Sequence, residues 1–397
     1  MKKTLAIVLS LLMVFAFTLT VTGCGGSEDS GDASGETIKI GFFCPESAAA
    51  AAADGQSARQ SAELAVQICN DNGGINGQQV ELVKYDDGLD TTEAANIAEK
   101  LISSDQVDAV VSGSYSGPTK VAAPIFQDGG MVMVSAYAVH PDVVNAGNLI
   151  FSQSFPGYVQ GTAAAEFASK ELKAKKVAIV AVDLDFGTEQ AEAFKKAAKG
   201  RGMEIVSEDY IDIADNDMTS VISKIKGEGV DLIYSVNYYE QAAEVCRQVK
   251  AQEVDVDILG TEGADSWQLL ETAGDAAQGL YITTNINRDD ESEATHAYIE
   301  QYRTTYEMEP DMVGASVYDA FQVLFSAFGE VGTGDAEALA ANIAGMTDFA
   351  TVTGTLIKYT ENGSAVKPVQ IQKVGDDTLF HNVMSIDDEK IINPDNY

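Results

Sequence analysis

The chain has 397 residues, 61 acidic against 25 basic side chains and a net charge of −36, with 45% hydrophobic residues. So acidic a surface repels nucleic acid and anionic headgroups, which excludes DNA and RNA as partners. The length exceeds what one hydrophobic core normally organises, so two domains are expected.

The N-terminus comes first in chain order. Lys2 and Lys3 precede an uncharged apolar run, Leu5–Val21, and Val21-Thr22-Gly23-Cys24 places small residues before a cysteine. This spacing fits a lipoprotein cleavage site, with residues 1–23 as signal peptide and Cys24 as the acylated first residue. An uncleaved membrane anchor competes, because the run is about as long as a spanning helix. The polar GGSEDSGDASGE that follows at once argues for cleavage, and residues 24–36 then form a flexible tether. The expected location is the outer face of a bacterial cytoplasmic membrane, in a Gram-positive cell. No second apolar run is long enough to span a bilayer.

Beyond the tether, strand and helix signals alternate. Strands are predicted at 37–43, 79–85, 107–111, 131–135, 149–153, 176–182, 203–210, 230–235, 256–259 and 279–284. Helices are predicted at 55–70, 91–103, 118–127, 157–171, 187–200, 217–227, 239–250 and 292–306. Such alternation gives parallel sheets with right-handed crossovers, hence α/β lobes of the doubly wound kind. Within residues 62–94, Leu64, Ala65 and Ile68 lie at helical spacing, and Gly73, Gly74 and Gly77 stop the helix. Val80, Leu82 and Val83 then give a strand ending in Asp86 and Asp87. Asn216-Asp217-Met218-Thr219 fits a helix N-cap better than a calcium loop, since the glycine and terminal glutamate of an EF-hand are missing.

Cys44, Cys69 and Cys246 are odd in number and lack metal-ligand spacing, so free thiols are expected; a Cys44–Cys69 bridge is not indicated. His140, His296 and His381 show no ligand spacing either, and no metal, cofactor or enzymatic activity is expected.

Ligands in open α/β sheets bind beyond the carboxyl ends of strands. The strand Val107–Val111 opens into Ser112-Gly113-Ser114-Tyr115-Ser116-Gly117-Pro118-Thr119. Proline suits a first helical turn, where free N–H groups and the hydroxyls of Ser116 and Thr119 would hold a carboxylate. The string G-S-Y-S-G has tyrosine where a nucleophile elbow needs serine, and it fits neither a P-loop nor a dinucleotide fingerprint. A second loop, Ser135-Ala136-Tyr137-Ala138-Val139-His140-Pro141, follows the next strand. Later strands end at Asp183-Leu184-Asp185-Phe186-Gly187, at Asn237-Tyr238-Tyr239 and at Gly260-Thr261-Glu262-Gly263. Aromatics placed just past a strand suggest a stacking partner.

The block at 62–94 resembles the helix–GGI.G–strand–D(D/S) block of the branched-chain-amino-acid solute-binding proteins. The resemblance runs from residue 38 to about 390. That family has the type I periplasmic-binding-protein fold and delivers ligand to an ABC importer. The resemblance implies two lobes, 37–153 plus 285–367 and 154–284 plus 368–397, joined by a three-segment hinge. It implies a carboxylate-binding Ser116 beside Tyr115 and Thr119, and cleft contacts from Phe186 and Tyr238. It also implies that Glu262 holds the ligand ammonium. In the second loop this chain has Tyr137 and Val139, so the family's Ser/Thr hydroxyl is missing, and Tyr137 or His140 is the candidate substitute. A disulfide common in Gram-negative relatives is absent, since Leu89 and Tyr115 stand at its positions. A side pocket near Phe186, Tyr137 and residues 44–54 would select the side chain. Ala48–Ala53 there offers either small apolar surface or an extra helical turn.

The function implied is a monomeric, lipid-anchored, non-enzymatic receptor that passes an amino acid, branched-chain or otherwise apolar, to permease subunits. A ligand-sensing protein that regulates a partner is the alternative. So is a receptor for an amide, urea-like solute or aromatic acid.

Overall fold

The computed structural model describes residues 37–215 and 217–397. The signal peptide, Cys24, the tether and Asn216 of the expected cap lie outside the described residues.

Five strands form a first, wholly parallel sheet: β1 (Ile38–Cys44), β2 (Val80–Asp86), β3 (Ala109–Ser112), β4 (Met133–Ser135) and β5 (Ile150–Ser152), in the order β2-β1-β3-β4-β5. The crossovers are helices α1 (Ala52–Asp71), α2 (Thr91–Lys100) and α3 (Ser116–Asp128). Strand β1 is almost entirely buried because helices cover both faces of the sheet. Its alternate residues serve different cores: Ile40, Phe42 and Cys44 join the main apolar cluster, and Phe43 joins another around Phe126 and Val110. Helix α1 starts earlier than its periodicity predicts, at Ala52, so the alanine run supplies an extra helical turn. It ends in a turn where Gly73, Gly74 and Gly77 have φ of +97°, +73° and +87°. A Cβ on Gly74 would sit 2.0 Å from the Gln78 carbonyl oxygen, so only glycine closes this turn.

After β5 the chain builds a second sheet. Helix α4 (Gly157–Lys170) leads to β6 (Lys176–Val182), α5 (Asp185–Gly200), β7 (Glu204–Ile211), α6 (Thr219–Glu228), β8 (Leu232–Val236), α7 (Tyr239–Ala251), β9 (Asp257–Gly260), α8 (Trp267–Ala273) and β10 (Tyr281–Thr284). The acidic run before α6 works as a series of turns. Asp212 accepts from the Ala214 N–H, Asp215 from Asp217, and Asp217 caps the helix by accepting from Thr219 at 3.0 Å.

The alternating reading stops at residue 306, the end of α9 (Glu293–Tyr306). Beyond it lie α10 (Met312–Val331), α11 (Ala336–Ala344) and a small antiparallel sheet of β11 (Thr347–Phe349), β12 (Leu356–Tyr359) and β13 (Ala365–Val366). Helix α10 is buried on most sides, so its sequence lacks the clean apolar stripe that marks a surface helix. It packs along α1 of the first lobe, and Ser364 bridges to Ser152 at the end of β5. The chain then returns to the second sheet as the hairpin β14 (Val369–Val374) and β15 (Phe380–Ile386), with α12 (Glu389–Ile392) behind it. The complete second sheet runs β15-β14-β10-β9-β8-β6-β7, parallel except for β14 and β15. The fold is thus α/β with two lobes, each built on its own parallel sheet. Cys44, Cys69 and Cys246 are free thiols.

Candidate functional site

The first lobe contributes through the loop after β3. Gly113 lies so close to Phe42 that a Cβ would meet the ring at 2.6 Å, and its N–H donates to the Phe43 carbonyl. Thr119 is fully buried, shares a hydrogen bond of 2.7 Å with Ser112 and donates to the Ser114 carbonyl at 3.2 Å. Its hydroxyl therefore braces the loop instead of facing a ligand. What the loop presents is Tyr115, the N-cap of α3, and Ser116 in its first turn, where N–H groups have no helical acceptor. Tyr115 donates to Asp54 Oδ2 at 2.6 Å. Tyr137 donates to the Gly113 carbonyl at 2.8 Å and meets Tyr115 edge-on, at 78°. Val139 packs into the core, and its carbonyl accepts from Gly157 at 2.9 Å. It does not line the cavity.

The second lobe answers with Phe186, Tyr238 and Glu262. Phe186 lies in the first turn of α5, where the neighbouring Gly187 permits a close approach: a Cβ would stand 1.9 Å from the Val182 carbonyl oxygen. Tyr238 begins α7 and stacks on both neighbouring rings, 4.8 Å from Phe186 and 4.3 Å from Tyr115. Glu262 follows β9 in a single turn of helix, and its Oε1 accepts from Gln190 Nε2 at 3.0 Å. Its Oε2 has no hydrogen-bond partner among the described residues.

These side chains enclose an inner cavity of about 20 Å³, lined by Asp54, Tyr115, Ser116, Tyr137, Phe186, Tyr238, Glu262, Gly263, Met312 and Val313. Tyr115, Ser116, Phe186 and Tyr238 also line an outer cavity of about 640 Å³, which continues past His140, Asp183, Asp185 and Glu189. The mouth is tied by an ion pair between Lys120 and Asp185. Burial shapes the electrostatics. It pushes the Glu262 carboxyl up to about 8 and that of Glu189 to about 7. It also raises Asp54 to about 7, with repulsion from Asp311 adding to the shift. Burial lowers His140, whose Nδ1 accepts from the Asp142 N–H.

Of the candidates read from the sequence, Tyr115, Ser116, Tyr137, Phe186, Tyr238 and Glu262 come together around one cavity. Thr119 and Val139 do not reach it, and His140 lines only the outer space. Sequence reasoning missed Met312 and Val313, and it reached Asp54 and Gly263 only as members of the segments 44–54 and 260–263, with no role of their own. Asp54 carries one signal, as the single charge between six alanines and an apolar helix, but an acid at a helix start has an ordinary explanation in the helix dipole. No group of three or more His, Cys, Asp or Glu side chains suited to a metal ion occurs among the described residues.

The sequence pattern of the periplasmic binding protein family matches residues 37–378. The chain is 29% identical to the leucine-, isoleucine-, valine-, threonine- and alanine-binding protein of Pseudomonas aeruginosa over 322 residues, 81% of this chain and 85% of that one. Among solved structures, it resembles the branched-chain amino acid transporter substrate binding protein of Streptococcus pneumoniae in complex with isoleucine. There the TM-score is 0.81 and the identity 28%, covering 88% of this chain and 100% of the other. A leucine binding protein of Thermotoga maritima gives a TM-score of 0.82 at 27% identity, covering 91% and 100%. Fold, cleft and sequence agree: the chain belongs to the periplasmic binding protein family, in its type I branched-chain amino acid group.

Proposed function

We propose that this chain is the lipid-anchored receptor of an ABC importer, capturing an α-amino acid between its lobes outside the bacterial cytoplasmic membrane. The observation that carries this reading is the polarity of the inner cavity. The first turn of α3 at Ser116 offers N–H donors to a carboxylate, and the unpartnered Oε2 of Glu262 offers an acceptor to an ammonium. The two groups come from different lobes, so only closure completes the contact set, and ligand favours the closed state. Tyr115, Phe186 and Tyr238 supply the apolar wall.

Lobe limits of 37–153 plus 285–367 and 154–284 plus 368–397 agree with the way the chain changes sheets, after Ser152, after Thr284 and before Val369. These three crossings form the hinge in this reading. The names of the relatives support an amino acid as cargo. The unpaired Glu262 Oε2 favours an importer's receptor for a zwitterion over one for a free aromatic acid, because it can accept from an ammonium that such an acid lacks.

A thermal-shift screen of the full chain in detergent against the L-amino acids tests the proposal. A ligand at a hundred times its dissociation constant stabilises by about 2.7 kcal/mol, and Glu262→Ala abolishes the shift. No shift with any amino acid would overturn it. The anchor is tested separately: Cys24→Ala is expected to abolish incorporation of labelled fatty acid into the protein.

A further inference from the structure

The inner cavity holds a second carboxylate that an apolar amino acid does not need. Asp54, at the start of α1, and Glu262, after β9, line the same space, and each is 4% exposed. They approach from different lobes, with the Tyr238 ring within electrostatic reach of both. Among the described residues, no lysine, arginine or histidine lines this cavity. The cations around it are committed elsewhere: Arg288 pairs with Asp265, and Lys120 with Asp185.

Resting on the amino-acid reading above, we propose that the ligand is a basic α-amino acid, with its α-ammonium on Glu262 and its side-chain cation on Asp54. The physical grounds are three. First, Glu262 is buried, lines the cavity and has no hydrogen-bond partner at Oε2 among the described residues, although the Gln160 amide lies close enough to act on the carboxyl, so this oxygen is open to a donor from a ligand. Second, Asp54 is already buried, with the Tyr115 hydroxyl as a donor and no basic side chain among the described lining residues, so a ligand cation would neutralise it where an apolar side chain would not. Third, parting the Tyr115–Tyr238 stack would uncover one face of each ring, and a ring face attracts an ammonium or guanidinium. The route inward is of the same sign, since Asp183, Asp185, Glu189 and Glu192 line the outer cavity. Burial holds Asp54 and Glu262 partly protonated near neutral pH, a state that an incoming cation converts to the charged form.

About 20 Å³ does not accommodate such a ligand, so the Tyr115–Tyr238 stack must part as the lobes open, joining the inner space to the outer cavity with which it shares four residues. The ligand then takes the place of one ring against the other.

Isothermal titration of the full chain in detergent with L-lysine, L-arginine, L-ornithine, L-leucine, L-isoleucine, L-valine and putrescine decides the matter, with Asp54→Asn alongside. The variant keeps an oxygen for the Tyr115 hydroxyl and removes only the charge, and its unliganded melting temperature reports on folding. The expected result is that one basic amino acid binds at least about tenfold tighter than any branched-chain one. Asp54→Asn should then weaken that ligand by about thirtyfold or more while sparing the melting temperature. Tighter binding of leucine, isoleucine or valine overturns this inference and leaves the importer's receptor standing. Unchanged affinity in Asp54→Asn also overturns it. Failure of every amino acid removes both readings. Putrescine binding tighter than the amino acids would keep the two cation sites and remove the carboxylate site at Ser116.

Discussion

Tyr115 and Tyr238 meet face to face across the cleft, their ring centroids 4.3 Å apart and their planes 10° from parallel. One ring belongs to the loop after β3 of the first sheet and the other to the loop after β8 of the second. Phe186 extends the stack by 4.8 Å on the second-lobe side, so three rings fill the space between the lobes. The stack therefore stabilises the closed arrangement at the proposed ligand site.

Replacing Tyr238 with alanine removes both stacking contacts. Each aromatic pair contributes about 0.5–1.5 kcal/mol beyond its buried area. Ligand-free Tyr238→Ala is expected to open, with a larger radius of gyration in small-angle scattering than the wild type. An unchanged radius would show that other contacts hold the lobes together.

The pH dependence of the unliganded fold follows from the cavity carboxyls. Burial raises Asp54 and Glu189 to about 7 and Glu262 to about 8, whereas an unfolded carboxyl titrates near 4. Between these values the folded state binds more protons than the unfolded state, so stability falls as pH rises. The contribution of these groups is complete below about pH 4 and is lost as pH passes through 7 to 8. Urea unfolding from pH 5 to 8 should show the decline, and Asp54→Asn with Glu262→Gln should flatten it. A double variant as steep as the wild type would assign the slope to other groups, Glu189 and Asp311 among them.

Lys367 is fully buried beside Asp319, and the two are joined through Thr353. The Asp319 carboxylate accepts from the N–H groups of Val352 and Thr353 and from the Thr353 hydroxyl, to which Lys367 also donates. Burial lowers the lysine to about 8, and Asp319 opposes that shift. Lys367→Met leaves the carboxylate without its cation and is expected to cost about 3–5 kcal/mol in chemical denaturation. Lys367→Met paired with Asp319→Leu should recover part of that loss.

Gly187 shows what the aromatic-glycine step before α5 requires. With a Cβ only 1.9 Å from the Val182 carbonyl oxygen, Gly187→Ala must displace the start of the helix that carries Phe186. A loss of about 1–3 kcal/mol is expected, together with weaker ligand binding. Gly200→Ala, at the open end of the same helix, has nothing within 4 Å and should change neither.

Most elements up to residue 306 were legible because each obeys a local rule. The period of apolar residues marks α1, α5 and α7, and short β-branched runs mark β3 and β6. The region beyond residue 306 was not legible. Helix α10 is apolar on several faces, and β14 and β15 gain their meaning only by pairing with β10 across a long stretch of chain. Within the site, Ser116, Phe186, Tyr238 and Glu262 stand just past strands, and the family resemblance gave them their expected roles. Thr119 stood there as well, yet packing turned its hydroxyl onto Ser112 and Ser114. Which atom of a loop faces the cleft depends on neighbours that local sequence does not name.

The sequence by itself determined the α/β class, the parallel alternation and the strand ends from which a ligand site is built. Those depend on side-chain periodicity and on glycine's access to positive φ, which are properties of short segments. Only the tertiary structure decided that Asp54 joins Glu262 in one cavity, with Tyr115 stacked on Tyr238 between the lobes. Asp54 precedes Glu262 by 208 residues, and their shared burial, which sets the charge of both, exists only when the sheets close on each other.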